Sequence, residues 1–265
     1  MPTPIVQMPT DERIFALLVG DSGAGKTSTI PWFPGKKLIL DYDRRWKGLL
    51  GHKTQLPLED VSVHQFKGKD IMQETEDLLN EFERLVDRKQ SFPYDLIVFD
   101  GFTSFDQLVC DQAIEFVGKA SAKDKGFNKT FGQVELMGWD AFAYELQCFK
   151  NVIQGLKYQL PCSVICTAHW TDRYEEGKVV GRDINLRKKI INQTLLWFDE
   201  IYFMEKKTAN VLTQKGDAKV ETKHTVHFRN DLARTTFPLL PDSADITGKD
   251  FYKLLMSGKR GEVIV

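Results

Sequence analysis

Eight residues near the start of the chain have the types and the spacing that hold a phosphate chain. Residues 20–27 read GDSGAGKT and match the pattern G-x-x-x-x-G-K-S/T in full. Glycines allow the backbone to wrap a phosphate with its N–H groups, the lysine reaches the phosphates, and the hydroxyl takes a Mg²⁺ position. The pattern predicts a nucleotide site whose binding residues are Gly20, Asp21, Ser22, Gly23, Ala24, Gly25, Lys26, Thr27 and Ser28.

A phosphate loop also needs an acidic residue at the tip of a neighbouring strand, where it holds the magnesium through water. The segment YDLIVFDGFTS (94–104) supplies this residue, because Asp100 comes directly after four apolar residues. Asp100 could also cap a following helix, and the two roles are compatible. We therefore expect Thr27 and Asp100 to be the residues that bind Mg²⁺.

Hydrolysis of a bound nucleotide would need a group that positions water near the terminal phosphate. The segment LILDYDRRWKG (38–48) places Asp41 and Asp43 at the end of a second strand, and period-two alternation puts them on one face. Either carboxylate could order the attacking water. Alternatively, the two are solvated acids beside Arg44 and Arg45.

His169 is a third polar residue at the end of an apolar run, in the segment VICTAHW (164–170). It could contact the terminal phosphate, or it could be an ordinary histidine at a strand end. Cys162 and Cys166 lie close to it, but no second ligand pair follows at zinc spacing, so buried strand cysteines are the preferred interpretation. The candidate catalytic residues are Lys26, Asp43, Asp100 and His169.

The composition of the 265 residues excludes several classes of protein. The formal charge of −1 cannot attract nucleic acid in bulk, so any such contact must come from local basic patches. No apolar run approaches the roughly 20 residues that span a bilayer, and the N-terminus lacks the pattern of a signal peptide. The four cysteines lie in apolar segments rather than at framework spacings. We expect a reduced, cytoplasmic protein without a membrane partner.

Strand-like runs alternate with helical patterns along most of the chain. Several of these runs are continuously apolar, as in strands covered on both faces of a parallel sheet. The alternation predicts an α/β fold, a doubly wound, mainly parallel sheet with helices on both faces. The predicted strands are 13–20, 36–43, 61–66, 95–100, 163–170, 199–207 and 224–230, and the predicted helices are 70–90 and 137–157.

The chain shows no internal repeat, and one domain with short terminal segments is expected. The predicted parts are a flexible N-terminal segment (1–12), a core (13–240) and a C-terminal tail (241–265) with a short helix. Thr247 and Asp250 have the spacing of a capping box for that helix. The segments 118–133 and 171–193 read as long loops, which in compact domains are usually functional or disordered.

The order of these parts resembles the ATPase core of the RecA-like recombinases. The matching stretches are AGKTST, LDYD, DLIVFDG and CTAHW, and they look most similar to the phage-type single-strand annealing ATPases of the Sak type. The resemblance covers residues 13–235. It implies a RecA-like P-loop NTPase fold with ATP and Mg²⁺ as cofactors.

The resemblance also implies roles for individual residues. Lys26 and Thr27 would bind phosphate and Mg²⁺, Asp100 would be the second Mg²⁺ residue, and His169 would sense the γ-phosphate. Asp43 stands where the family has a catalytic glutamate, one methylene longer, which favours weak or partner-dependent hydrolysis. Gly101 stands in place of the usual serine or threonine.

In that fold, the loop after the sensor strand faces DNA. Basic residues there can neutralise phosphates, and an aromatic can stack on a base, while a solvated surface loop is the alternative interpretation. The candidate DNA-binding residues are Lys123, Lys125, Lys129, Arg173, Lys178, Arg182, Arg187, Lys188 and Lys189. RecA-like proteins also form rings or filaments in which a neighbour's basic residue completes the site, and Arg229 and Arg234 are candidates for this trans finger.

The leading hypothesis is an ATP-binding, slowly hydrolysing protein that acts on DNA in single-strand annealing or homologous recombination. Its expected partners are single-stranded DNA, further copies of itself as a homo-oligomer, and a single-strand-binding protein, in the host cytoplasm if a phage encodes it. One alternative is a P-loop kinase for a small molecule or nucleotide, with 182–189 as its lid. Another is a nucleotide-dependent switch or scaffold with little turnover.

Overall fold

The computed structural model describes residues 13–50, 57–67, 70–88, 90–121, 130–131, 134–135, 139–212 and 218–260. The segment predicted to be a flexible N-terminus, residues 1–12, lies outside these ranges. The strands are β1 (Phe15–Gly20), β2 (Lys37–Asp41), β3 (Val61–Gln65), β4 (Leu96–Asp100), β5 (Thr130–Phe131), β6 (Val134–Glu135), β7 (Ser163–Ala168), β8 (Trp170–Glu175), β9 (Lys178–Ile184), β10 (Glu200–Leu212), β11 (Ala218–His227) and β12 (Ser243–Asp245).

The α-helices are α1 (Lys47–Leu50), α2 (Ile71–Asp87), α3 (Phe102–Ser121), α4 (Trp139–Gln154), α5 (Lys188–Trp197) and α6 (Phe251–Arg260). A 3₁₀ helix follows the phosphate loop at Thr27–Trp32, and a π-helical turn extends α4 at Gly155–Gln159. The helix predicted over 70–90 begins where its sequence indicates, because the Asp70 side chain accepts a hydrogen bond from the Gln73 N–H at 2.9 Å.

Eight strands form one sheet in the order β12-β11-β10-β1-β7-β4-β2-β3. The strands from β10 to β3 run parallel, and β11 and β12 continue the edge in antiparallel pairing. The predicted α/β fold with a mainly parallel sheet is confirmed. Because the parallel strands point the same way, the carboxyl ends of β1, β7, β4 and β2 meet at one edge, where open α/β sheets bind ligands.

Both faces of the sheet are covered, so alternate residues of each strand enter two different cores. On β4, for example, Ile97 and Phe99 enter one core, and Leu96 and Val98 enter the other. The first core is completed by α2, α3, α4 and α5, and the second by the 3₁₀ helix, α1 and α6. Burial on both faces explains why these strands are continuously apolar in sequence.

The segment 171–193 was predicted to be a long loop, and this is wrong. The chain forms a hairpin of β8 and β9, with Trp170 opposite Ile184, and then enters α5. Much of the hairpin is exposed, so its strands lack the apolar pattern that marks the strands of the sheet. In the other predicted loop, 118–133, α3 extends to Ser121 and residues 122–129 lie outside the described ranges.

The C-terminal segment, predicted as a tail with a short helix, does contain a helix, and it also takes part in the sheet and the core. β12 pairs with β11, and α6 buries Phe251, Leu255 and Met256 in the second core. Asp250 caps α6 by accepting from the Lys253 N–H at 2.9 Å. The expected capping role of Thr247 is wrong, since its hydroxyl oxygen accepts from the His224 N–H instead.

Within the described ranges, we find no helix that combines the length and the apolar character needed to cross a bilayer.

Candidate functional site

The phosphate loop connects β1 to the 3₁₀ helix, and its lysine is folded back onto it. The Lys26 ammonium donates to the carbonyl oxygens of Gly20, at 2.6 Å, and Asp21, at 3.0 Å. These carbonyls hold the lysine over the concave side of the loop, where a phosphate chain would offer it oxygens instead. The following helix is short and contains Pro31. The backbone N–H groups of the loop therefore contribute more to binding an anion than the dipole of this short helix does.

Gly25 shows why the loop needs glycine. Its φ is +96°, and a Cβ on it would lie 3.3 Å from the Nδ1 of His224. The Nδ1–H of His224 donates to the Ala24 carbonyl oxygen at 3.1 Å, so this ring holds the loop from the side of β11. His224 was not predicted, because nothing local marks a histidine that lies 200 positions along the chain from its partner.

The predicted Mg²⁺ residues are brought together by the sheet register. Asp100 at the end of β4 lies beside Thr167 of β7, and β7 in turn lies beside β1. The Thr27 hydroxyl donates to one oxygen of Asp100 at 3.2 Å, and the Thr167 hydroxyl donates to the other at 2.6 Å. The Thr167 oxygen also accepts from the Gly101 N–H at 3.0 Å. Asp100 is thus fixed in one orientation with a carboxylate oxygen facing Thr27.

The electrostatics of Asp100 suit a cation. Burial raises the pKa of Asp100, the hydrogen bond from Thr167 lowers it, and the nearby carboxylates of Asp43 and Asp41 raise it further, with a net rise. A divalent cation would relieve this clustering of negative charge, and hydroxyl and carboxylate oxygens are the ligands that Mg²⁺ prefers. The residues therefore fit the Mg²⁺ that a P-loop site usually holds, and Thr27 and Asp100 are the residues that would hold it.

The alternation predicted that Asp41 and Asp43 share a face. This is wrong, because β2 ends at Asp41 and the alternation does not continue to Asp43. The Asp41 carboxylate accepts from the backbone N–H groups of Arg45, at 3.1 Å, and Trp46, at 3.4 Å, and so orders the turn after β2. Asp43 instead faces the nucleotide side, where it accepts from the Ser104 hydroxyl and lies 3.6 Å from the Nε2 of His169.

Burial acts to raise the pKa of Asp43, but the interactions with His169 and Ser104 and the charge of Arg45 outweigh it, and the net pKa lies below its ordinary value. The group is therefore a carboxylate at neutral pH. Gly101 makes room for it. The φ of Gly101 is +106°, and a Cβ there would lie 2.5 Å from an Asp43 oxygen. A serine or threonine at position 101 would collide with Asp43 where it now lies, whereas glycine leaves space for it.

Lys26 lies close to these acids and is itself buried. Burial lowers the pKa of Lys26 to about 8, against the opposing charges of Asp100, Asp43 and Asp21, and Arg45 lowers it further. The Arg45 guanidinium donates to the Ser22 hydroxyl oxygen of the loop at 3.3 Å.

A cavity of about 760 Å³ opens on the phosphate loop and contains the predicted site residues Lys26, Asp43, Asp100 and His169. Its wall includes residues that were not predicted to belong to the site, namely Trp32, Arg45, Gly48, Leu49, Lys206, Thr222, His224, Ile246, Thr247, Gly248 and Lys249. Most of these reach the cavity through the pairing of β10, β11 and β12, and the sequence does not reveal that register. The volume is large enough for the base and sugar of a nucleotide as well as its phosphates.

The cysteines near His169 are buried thiols. Cys162 and Cys166 are among the core residues, and burial raises the pKa of Cys162 to about 12 and that of Cys166 further. Within the described ranges, no group of three or more His, Cys, Asp and Glu side chains is placed to hold a metal.

The predicted DNA-binding residues have different surroundings. At the hairpin, Arg173 lies 3.7 Å from Asp183 and is half exposed, and Lys178 is exposed. Arg182 lies at the hairpin base, where it pairs with Glu205 at 2.5 Å and stacks 4.2 Å from the ring centre of Trp170. The side chains of Lys188 and Lys189, and the whole of Lys123, Lys125 and Lys129, lie outside what the structure describes.

Arg187 faces the interior, in contrast to its predicted contact with DNA. It forms an ion pair with the buried Glu145 and lies 3.6 Å from a carboxylate oxygen of Asp106. Its backbone N–H also donates to Asp106 at 3.3 Å. Arg187 is therefore a link between α3, α4 and α5, and we leave it out of any DNA surface.

The two candidate trans-finger residues are also engaged within the chain. The Arg229 guanidinium donates to the carbonyl oxygens of Phe237, Pro238 and Leu240. The Arg234 guanidinium donates to the Phe198 carbonyl oxygen, and its backbone bridges to Ile201 near the start of β10. Both side chains hold loops in place and lie at the amino-end side of the parallel strands, away from the phosphate loop.

A family model described as an AAA domain matches residues 12–231. The chain belongs to the AAA domain family. A search among curated proteins found no match. The AAA domain of this chain is a nucleotide-binding, ATPase-type P-loop domain, in agreement with the broader prediction. The matched range ends before β12 and α6, although the turn between them lines the cavity.

Proposed function

We propose that this AAA domain is a DNA-binding ATPase that acts on single strands in annealing or homologous recombination, as an oligomer. The observation that carries the proposal is the β8–β9 hairpin, which leaves the sheet directly after His169. One end of the hairpin thus adjoins the nucleotide site, and its far end is exposed. This arrangement could let DNA bound at the exposed end of the hairpin change the rate of hydrolysis at the nucleotide site.

The far end of the hairpin has the groups that a single strand of nucleic acid requires. Tyr174 is 62% exposed, and Arg173 and Lys178 lie close to it in sequence. A base can stack on an exposed aromatic, while cations neutralise the phosphates on either side. The ion pair of Arg173 with Asp183 is a surface pair, which contributes little and exchanges readily for a phosphate. Glu175 and Glu176 lower the local positive charge, which favours a contact dominated by stacking.

At its base, each of the two strands of the hairpin contacts residues near the nucleotide site. Directly before β8, the Nε2 of His169 lies 3.6 Å from a carboxylate oxygen of Asp43. The backbone N–H of His169 donates to the Thr103 hydroxyl oxygen. At the end of β9, Arg182 pairs with Glu205 of β10, next to Lys206 in the cavity wall. A displacement of the hairpin would therefore reach Asp43 and β10 together.

The acid–base chemistry of the site supports slow turnover. In hydrolysis, water attacks the γ-phosphorus and the bond between this phosphorus and the bridging oxygen of ADP breaks. Mg²⁺ would neutralise charge on the phosphate oxygens when bound. Asp43 could hold the attacking water through a carboxylate oxygen. Because the pKa of Asp43 lies below its ordinary value, it is a weak base, and a catalytic base works best with a pKa near the working pH.

The test is an ATPase assay with and without single-stranded DNA, on wild type, Lys26→Ala and Tyr174→Ala. DNA is expected to raise wild-type turnover several-fold, and Lys26→Ala to remove turnover. Tyr174→Ala should weaken DNA binding by about tenfold or more, since stacking contributes about 1–3 kcal/mol per base. Its rate without DNA should not change. Tyr158→Ala is the matched control, because Tyr158 is 72% exposed on the turn before β7.

Several outcomes would contradict the proposal. If DNA changes neither turnover nor nucleotide affinity, the DNA role is wrong. Phosphate transfer to a nucleoside monophosphate would establish the kinase alternative. DNA binding that depends on ATP without any turnover would establish the switch. A salt titration adds a check, because the slope of DNA affinity against salt reports how many phosphates are neutralised. With two cations beside Tyr174, affinity should fall as salt rises, but only with a shallow slope.

A further inference from the structure

A second cation, Lys206, lies against the phosphate loop. It belongs to β10 and lines the nucleotide cavity. Its ammonium is 3.8 Å from the position that a Cβ on Gly23 would take, in the middle of the loop. We propose that Lys206 binds the β- and γ-phosphates of the nucleotide held by its own chain, so that the site has its second cation in cis. This inference rests on the proposed nucleotide site and does not depend on DNA.

The position of Lys206 follows from the sheet register. β10 runs parallel to β1 with Met204 opposite Gly20, so the residue two places further on lies alongside the loop. Alternation puts Lys206 on the same side of β10 as Met204, which is buried in the same core as Ala24 of the loop. Lys206 is also paired in register with His224, whose ring donates to the Ala24 carbonyl. Two strands thus hold two basic side chains against the same part of the loop.

The charge of Lys206 is available to a ligand. Within the described residues, no carboxylate lies within ion-pair distance of its ammonium, and the side chain is exposed to the cavity. The next residue, Lys207, is different. It points to the other side of the strand and pairs with Glu205 at 3.4 Å. An unpaired cation beside a phosphate loop is well placed to neutralise the oxygens that Lys26 does not reach.

The arginines expected to act from a neighbouring copy do not compete for this role. Arg229 and Arg234 hold carbonyl oxygens of their own chain near the opposite end of the parallel strands. The cis position of Lys206 therefore makes a distinct prediction: each chain carries its complete set of phosphate-binding cations, whatever its oligomeric state.

The first test compares binding of MgADP with that of a MgATP analogue whose β,γ bridge is an imido group, without DNA. Lys206→Ala should lower the preference for the ATP analogue over ADP by about tenfold, because it removes a charge-assisted hydrogen bond to the γ-phosphate, which ADP lacks. Lys206→Arg should restore most of the preference. Lys207→Ala is the matched control and should leave the preference unchanged. A preference in Lys206→Ala equal to that of wild type would overturn the inference.

The second test decides between cis and trans action. Lys26→Ala and Lys206→Ala chains are co-expressed with different tags and purified through both tags. If Lys206 acts in cis, every chain in the mixture lacks one essential cation and turnover stays at the level of the single variants. If it acts in trans, Lys26→Ala chains supply Lys206 to intact phosphate loops and turnover recovers, which would overturn the inference. A wild type that binds neither nucleotide would instead refute the proposed function itself.

Discussion

At the scale of single residues, Lys26 is held in a state that a nucleotide should change. Burial lowers its pKa to about 8, so the free protein begins to lose this charge near pH 8. Phosphate oxygens favour the charged form and would raise the pKa of Lys26 on binding. Binding above pH 8 must therefore take up a proton.

We expect ATP affinity to be constant at neutral pH and to fall as the pH rises above about 8, by up to tenfold per pH unit. The measurement is isothermal titration calorimetry from pH 7 to 9.5. Repeating it in two buffers with different ionisation enthalpies gives the proton uptake directly. An affinity that stays flat to pH 9.5, with no proton uptake, would show that Lys26 keeps its charge in the free protein.

Gly101 carries a second prediction at this scale. An alanine there would meet an Asp43 oxygen at 2.5 Å and adopt a φ of +106°. Gly101→Ala should lower the hydrolysis rate by displacing Asp43, and should cost about 1–2 kcal/mol of stability through its backbone. Gly177→Ala is the matched control, because Gly177 has a φ of +75° with nothing within 4 Å of the added Cβ. Gly101→Ala should lose at least as much stability as Gly177→Ala in urea unfolding, because it adds a contact with Asp43 to the backbone cost, and Gly101→Ala alone should lose turnover. Equal turnover in both would contradict the role of this space.

At the scale of elements, three helices are joined by two acids and one arginine. Arg187, at the start of α5, pairs with Glu145 of α4 and Asp106 of α3. Burial is the main cause that raises the pKa of Glu145, to about 7, and the neighbouring Asp106 adds to it while Arg187 opposes it. The single positive charge of Arg187 is thus shared between two neighbouring acids, Glu145 and Asp106.

This cluster predicts how stability depends on pH. Because the pKa of Glu145 is raised in the folded protein, the folded state binds more protons than the unfolded state between about pH 4.5 and 7. The contribution of the protonated Glu145 to the free energy of unfolding is fully present below about pH 4.5 and is lost as the pH rises through 7. Glu145→Gln keeps an oxygen for Arg187 and should flatten this dependence in urea unfolding across pH 4.5–8. The exposed Glu81→Gln is the control, and an unchanged slope in Glu145→Gln would contradict the prediction.

At the scale of the whole molecule, the C-terminal segment is part of the structure that forms the nucleotide cavity. α6 places Phe251 fully inside the second core, against the rings of Phe33 and Tyr202. The turn that leads into α6 supplies Ile246, Thr247, Gly248 and Lys249 to the cavity wall. The segment predicted as a tail therefore forms part of the cavity wall, and α6 anchors that wall in the second core.

Phe251→Ala should lower the free energy of unfolding by about 3–5 kcal/mol, as large-to-small changes in a core do. The exposed Lys253→Ala on the same helix should change it by less than about 0.5 kcal/mol. Urea unfolding followed by circular dichroism measures both. Equal stability of the two variants would mean that α6 does not contribute to the core.

The sequence predicts the parts of this molecule that depend on local pattern. The phosphate loop, the apolar strands and the acid at the end of β4 are all marked by residues that are close together in the chain. The remaining features depend on pairs that are far apart. Arg187 is 42 residues from Glu145 and 81 from Asp106, and it reads as one more cation in a basic stretch. Lys206 reaches the phosphate loop through a strand register that composition and periodicity do not encode.

The base of the β8–β9 hairpin has a further consequence. Trp170 and Ile184 are opposite each other in register, and the Asn185 N–H donates to the His169 carbonyl at 2.8 Å, so the chain leaves the domain and returns at neighbouring points. An insertion closed in this way can be shortened, lengthened or exchanged while the sheet beneath it stays intact. The hairpin is therefore a graft point, where a different loop could be inserted while the ATPase-type domain beneath it keeps its fold.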